Sequence, residues 1–345
     1  MTRFTFFGCL SLYCGLIAAT PAFAQVSGQE RAQAAGRAIV GTPAPRLVLK
    51  TIDGETIDLG SLYGKKAVYL KFWATWCVPC RQQMPHFQHA YAMAEPGMAV
   101  IAINVGFNDS IDAIQTYRKK LAITMPIVFD DGSLGAAFHL RVTPTHIVIG
   151  RDGRIRYVGH LADQALDAAL LAARAPGGSA PQTTALVSNE SPAIGLGDLL
   201  PERSLRTLDG QHFELHHKDA QKKLTALVFL SPWCESYLET TRPEASANCR
   251  NMRTQVGALA ADPRIRWLGI ASGLWANSED LKQYQKKYGL TIPLTLDASG
   301  EVFRSFRVND VPTVLIADSG GRIVRRIDGG AAEDATALRT VVDSL

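Results

Sequence analysis

The chain carries no surplus of charge of either sign: 36 Lys and Arg stand against 32 Asp and Glu in 345 residues, a formal net charge of +4. No run of five like charges occurs. That balance gives weak attraction to nucleic acid and excludes a basic nucleic-acid binder. Long apolar runs are equally scarce, with one stretch near the N-terminus and none later, which excludes a polytopic membrane protein. Six cysteines are too few for a disulfide-dense miniprotein. What is present is ordinary: 47% hydrophobic and 20% charged residues describe a globular chain long enough for two domains.

The one apolar run sets the expected compartment. In residues 1–24 (MTRFTFFGCLSLYCGLIAATPAFA) Arg3 is the sole charge, Phe4 to Ala19 is apolar, and Ala22-Phe23-Ala24 is a small-x-small pattern before Gln25. Charge, length and cleavage pattern predict a secretory signal peptide. The alternative is an uncleaved membrane anchor, since the run is only slightly shorter than the roughly 17–25 residues of a span. Cleavage leaves Cys77, Cys80, Cys234 and Cys249. An even count in an exported chain fits two disulfides, and two pairs are too few to scaffold the whole, so at least one is expected to serve chemistry.

A repeat organises the rest. GTPAPRLVLKTIDGETIDL from Gly41 matches GDLLPERSLRTLDGQHFEL from Gly197, with Asp53-Gly54 on Asp209-Gly210, each reading as a hairpin turn. Downstream, Pro144-Thr145 matches Pro312-Thr313 and Arg154-Ile155 matches Arg322-Ile323 at a larger offset, so the second copy carries inserted residues. Ala175 to Leu196 is small, polar and Pro/Gly-rich, a flexible linker by composition. The expected organisation is a signal peptide (1–24), a first domain (38–174), a linker (175–196) and a second, modified domain (197–345). Residues 25–40 give no clear signal. In the first copy, residues 67–73, 98–105, 126–129 and 145–150 read as strands, and Val78 to about Ala94 and Ile111 to Leu121 as helices. That alternation predicts an α/β fold with a central sheet flanked by helices.

The chemistry concentrates in Trp76-Cys77-Val78-Pro79-Cys80, where a buried strand hands over to a helix. A sulfur at a helix N-terminus faces unpaired N–H groups and the positive end of the helix dipole, which favour thiolate. The two-residue spacing lets Cys80 close a small disulfide with Cys77, so Cys77 is the expected nucleophile and Cys80 the resolving thiol. Pro79 is tolerated in the first turn. A zinc site is the alternative, because His86 and His89 complete Cys-x2-Cys-x5-His-x2-His; against it, structural zinc sites draw ligands from separate elements, whereas here both His follow on one helix. Two solvated His on a surface helix account for them adequately, and the redox reading is the one preferred.

With these motifs in view, KFWATWCVPCRQQMP (71–85) and VTPT (142–145) resemble exported thiol–disulfide oxidoreductases of the TlpA/ResA/CcmG type, in the AhpC/TSA–redoxin superfamily. The resemblance covers about 38–173, and 194–345 more weakly. It implies two tandem thioredoxin-like domains, each a central mixed β-sheet flanked by helices, and exchange that needs neither metal nor organic cofactor. It also implies that Pro144 is cis and lies against the disulfide, that Thr143 offers its backbone to an extended substrate segment, and that Trp76 shields the disulfide. The partners it implies are exported proteins such as apocytochromes c, and a membrane thiol donor that recharges the dithiol in the periplasm. One position departs from the family, which has an acidic or amide residue where this chain has Lys71. Buried, Lys71 would have its pKa lowered by desolvation and raised by a nearby thiolate, and would favour the thiolates or take the proton from Cys80; otherwise it reaches the surface at a strand edge.

The second copy is altered at the same place. LVFLSPWCESY (227–237) sets Trp233-Cys234 on Trp76-Cys77, but Tyr237 replaces the second Cys, and the inserted residues stretch the motif so that Cys249 follows Cys234 at a spacing of Cys-x14-Cys. A Cys234–Cys249 disulfide is expected, as a specialised redox pair or as a structural staple, with Pro312 in the cis-proline role. Ser231-Pro232-Trp233-Cys234 also resembles the Ser/Thr-x-x-Cys of peroxiredoxins, with Cys234 as peroxidatic thiol and Arg242, Arg250 or Arg253 as the cation. A third possibility is a non-catalytic docking protein. Copper delivery lacks a Met- or His-rich ligand set.

Overall fold

The computed structural model describes residues 27–94, 96–175, 193–216, 223–329 and 337–345. The expected signal peptide (1–24) and most of the expected linker (175–196) lie outside them. The first unit runs α1 (Gly28–Gly36), β1 (Val48–Lys50), β2 (Thr56–Asp58), α2 (Leu59–Leu62), β3 (Ala67–Trp73), α3 (Val78–Gln82), α4 (Met84–Ala92), β4 (Met98–Asn104), α5 (Ile111–Lys120), β5 (Ile127–Phe129), α6 (Ser133–Ala137), β6 (Thr145–Ile149), β7 (Ile155–Gly159) and α7 (Gln164–Ala173). The second runs β8 (Ser204–Arg206), β9 (His212–Glu214), β10 (Leu224–Leu230), α8 (Cys234–Tyr237), α9 (Pro243–Leu259), β11 (Ile265–Ser272), α10 (Ser278–Tyr288), β12 (Leu294–Asp297), α11 (Glu301–Ser305), β13 (Thr313–Ala317), β14 (Ile323–Asp328) and α12 (Ala337–Asp343).

Each unit holds one five-stranded sheet, ordered β5-β4-β3-β6-β7 and β12-β11-β10-β13-β14. The first three strands of each are parallel and the last two antiparallel, so both sheets are mixed. β3 is central, and all seven of its residues are buried. A strand covered on both faces loses the alternation of a half-exposed one, which is why AVYLKFW reads as a nearly continuous apolar run. Burying each large apolar side chain stabilises by roughly 1.5–3 kcal/mol. The Asp-Gly turns close β1–β2 and β8–β9 in the same way: Thr51 N–H to Glu55 O at 2.9 Å matches Thr207 N–H to Gln211 O at 2.9 Å. Gly54 and Gly210 take φ of 88° and 85°, where a side chain would strain the turn.

One local reading needs correction, and one silent segment turns out to be ordered. The helix expected from Val78 to about Ala94 breaks at Gln83, which caps both α3 and α4; Pro85 has no N–H to return to Arg81, so a continuous ladder is impossible there. The segment before residue 40, which gave no signal, forms α1, started by a reciprocal capping box between Ser27 and Glu30.

The two units meet face to face with reciprocal contacts. Trp275 N–H donates to Arg141 O at 2.7 Å, and Asn108 N–H, after the matching strand of the first unit, donates to Asn309 O at 2.8 Å. Trp76 Nε1 donates to Phe107 O and Trp233 Nε1 to Leu274 O, both at 2.7 Å, and the two indoles lie 5.0 Å apart between the units. At the rim, Arg31 of α1 pairs with Asp280 of the second unit at 2.9 Å.

Candidate functional site at the start of α3

β3 delivers Trp76 and Cys77 to the N-terminus of α3. Cys77 is the N-cap residue, with extended backbone, and its Sγ accepts the Cys80 N–H at 3.2 Å. An N–H aimed at sulfur together with the helix dipole stabilises negative charge on Cys77 in the reduced state. The two cysteines are joined in a disulfide, and both are fully buried. The Thr143–Pro144 peptide is cis, as is Val311–Pro312 in the second unit. Trp76 is buried against Trp233 and Tyr237.

The loop before Cys77 is held by Asp109. Its buried carboxylate accepts from Thr75 N–H at 2.7 Å, Thr75 Oγ1 at 2.8 Å and Asn104 Nδ2 at 2.8 Å. Arg242 of the second unit completes this set, donating to Thr75 Oγ1 and, at 3.2 Å, to Asp109. Sequence reasoning missed Asp109, although an Asp-Ser pair before a helix is a cap signal, and it considered Arg242 only as a cation for a peroxide.

Lys71 does not reach the surface. It lies in the central strand with no exposure, opposite His146 on β6, with Nζ 3.5 Å from Cys80 O and over the Phe87 ring. Burial lowers its pKa from 10.5 to about 7, because a charged amine loses its hydration in the core. Its neighbours form a buried chain that the sequence did not signal. His146 has Tyr69 OH 2.7 Å from Nδ1 and Gln83 Oε1 2.7 Å from Nε2. Gln83 Nε2 donates to His160 O at 3.2 Å, which fixes the amide and assigns the His146 proton to Nε2. His160 Nδ1 donates to Pro144 O at 2.7 Å, so the chain ends on the cis-proline loop. Burial first, then the nearby Lys71 charge, keeps His146 neutral well below the ordinary histidine range.

His86 and His89 are not both solvated. His86 is half-buried and 2.9 Å from Asp167 on α7, while His89 is exposed. In the second unit Val228 occupies the strand position of Lys71. Cys234 and Cys249 form a buried disulfide. Cys234 Sγ lies 3.7 Å from Ala245 O and Cys249 Sγ 3.7 Å from Val311 O. Carbonyl oxygens disfavour a thiolate where an N–H favours one. The three candidate arginines are engaged: Arg242 as above, Arg253 with Glu235 at 2.7 Å, and Arg250 with Glu239 at 3.9 Å.

Comparison with known proteins matches residues 40–158 to the AhpC/TSA family. The chain is 37% identical over 117 residues to the thiol–disulfide oxidoreductase ResA of Halalkalibacterium halodurans, covering 33% of this chain and 65% of that protein. It is 34% identical to the thioredoxin-like protein YneN of Bacillus subtilis, covering 34% of this chain and 68% of that one. A solved thiol:disulfide interchange protein of the thioredoxin family from Chlorobium tepidum aligns with a TM-score of 0.36 and 29% identity, covering 39% of this chain and 97% of its own. The chain thus spans just under two thirds of the ResA relative's length. No described helix is long and apolar enough to cross a membrane.

Proposed function

The chain belongs to the AhpC/TSA family, and from that premise we propose that it is an exported protein-disulfide reductase working through Cys77 and Cys80. The Cys77 thiolate attacks one sulfur of a protein disulfide, the other sulfur leaves as a thiolate and takes a proton, and a mixed disulfide forms. Cys80 gives its proton to the neutral Lys71 amine and attacks the Cys77 sulfur. The second substrate sulfur leaves as a thiolate and takes a proton from water, so the substrate departs as a dithiol, and Cys77 and Cys80, having given it two electrons, are left joined in a disulfide. A dithiol donor must then reduce the pair. Extended segments of exported proteins, apocytochromes c among them, are the substrates that the family resemblance favours; the membrane supplies the donor, and the compartment is the periplasm.

The observation that carries this reading is the Cys77 sulfur at the start of α3, facing the Cys80 N–H, with Lys71 buried beneath Cys80. The second unit serves as a docking copy stapled by Cys234–Cys249, which its carbonyl-facing sulfurs and Tyr237 in place of a resolving thiol support. Insulin reduction by dithiothreitol tests the exchange: Cys77→Ser abolishes turnover, and Cys80→Ser stalls as a mixed disulfide visible on a non-reducing gel. Turnover that survives Cys77→Ser overturns it.

A further inference from the structure

A substrate disulfide has to reach Cys77, yet the face around it is covered by the second unit. Tyr237, at the position of the lost resolving cysteine, accepts the Val78 N–H at 3.1 Å from inside the Cys-x-x-Cys turn itself. Trp275 donates its backbone N–H to Arg141 O and its Nε1 to Thr143 Oγ1 at 3.2 Å, with its ring edge-on to His160. Thr143 is the residue before the cis proline, the place where an extended substrate backbone is expected to pair. The opposite contact repeats the arrangement more fully. The Asn108 carboxamide accepts the Val311 N–H at 2.7 Å and faces Val311 O with Nδ2 at 3.5 Å, as a peptide group of an added strand would. Each unit therefore occupies the cis-proline loop of the other.

Resting on the reading of Cys77–Cys80 as the exchange site, we propose that the second unit is a tethered pseudosubstrate: Trp275 and Tyr237 hold the place of the substrate segment, and exchange with a protein disulfide requires the units to part. Trp275 has φ 59°, in the left-handed region that bulky residues rarely adopt, and its contacts with Arg141 and Thr143 hold it there. The interface has an aromatic centre of Trp76, Phe107 and Trp233, with ion pairs such as Arg242–Asp109 at 3.2 Å. Polar-rimmed contacts between domains of one chain resemble those of transient complexes, for which relative motion is expected. An occupant lacking a reactive sulfur at Tyr237 masks Cys77 without being consumed. The substrate that displaces it presents an extended segment with an aromatic side chain to fill the slot of Trp275.

The test uses the full chain from Gln25, reduced with dithiothreitol, with Trp275→Ala and, at the partly exposed rim, Arg242→Ala. Iodoacetamide labelling of Cys77 is followed by peptide mass spectrometry, and insulin turnover in parallel. In the wild type Cys77 labels slowly, and each variant labels roughly tenfold faster, because weakening the closed state raises the open population. Insulin turnover rises with it. Labelling at one rate in all three proteins overturns the pseudosubstrate, and Arg242→Ala decides if Trp275→Ala does not fold. If labelling rises while no variant turns over insulin, the cap stands and the exchange reading fails. Equal turnover and equal labelling in all three leaves exchange intact and removes the cap.

Discussion

Replacing Lys71 by Met removes the one charged group of the central strand and separates two consequences of its burial. The amine has its pKa lowered from 10.5 to about 7 by burial. Below pH 7 both the folded and the unfolded chain are protonated there, and the folded state bears the cost of a charge without hydration. Between pH 7 and 10.5 the unfolded chain binds more protons, so wild-type stability rises with pH; above 10.5 both states are neutral and the difference is gone. At 1.36 kcal/mol for each pKa unit, the cost below pH 7 is at most about 5 kcal/mol, and about 2–5 kcal/mol allows for relaxation and water penetration. Met fills nearly the same space without the charge. Lys71→Met is therefore expected to be more stable by that amount at pH 6, with the gain fading toward pH 10.5, in urea titrations at several pH values. The same variant resolves the mixed disulfide roughly 10–100-fold more slowly at pH 7, having lost the acceptor for the Cys80 proton. A variant with no stability gain at pH 6 and unchanged resolution refutes the reasoning.

Three further outcomes follow from the site. Asp109→Ala leaves the Thr75 and Asn104 donors unpaired in the core and is expected to cost about 2–4 kcal/mol, read by urea titration. Cys234→Ser with Cys249→Ser opens a loop of about 15 residues and lowers stability by about 3 kcal/mol, while the rate at which dithiothreitol reduces Cys77–Cys80 stays the same in stopped-flow Trp fluorescence. Gly106→Ala drives a Cβ into Asp130 O at a φ of 65°, so it is expected to lower the melting temperature by several degrees in calorimetry.

What was legible in the sequence was local. Trp76-Cys77-Val78-Pro79-Cys80 lies within one turn, and its spacing alone places sulfur at a helix start; Asp53-Gly54 likewise announces its hairpin within five residues. The helix break at Gln83 was also within reach, since Pro85 forbids the bond to Arg81. What stayed hidden depends on contacts across the fold. His146 joins Lys71 only because β3 and β6 pair in one register, and Gln83 joins His146 only because α3 ends over that strand. Arg242, Tyr237 and Trp275 lie in the second unit, and no periodicity records that their face meets Cys77. Tyr237 was visible as the residue replacing a cysteine, but its hydroxyl has a partner only after the two units are set against each other.

The central claim, that Cys77 and Cys80 carry electrons to exported disulfides, is tested most directly by their redox potential. The chain from Gln25, with Cys234 and Cys249 changed to Ser, is equilibrated against glutathione buffers and the Cys77–Cys80 pair is quantified by mass spectrometry. A potential near or below about −250 mV is the expected result for a reductase recharged by a dithiol donor. A value near about −120 mV, that of an oxidant, contradicts the direction, and no exchange at any ratio contradicts the claim itself.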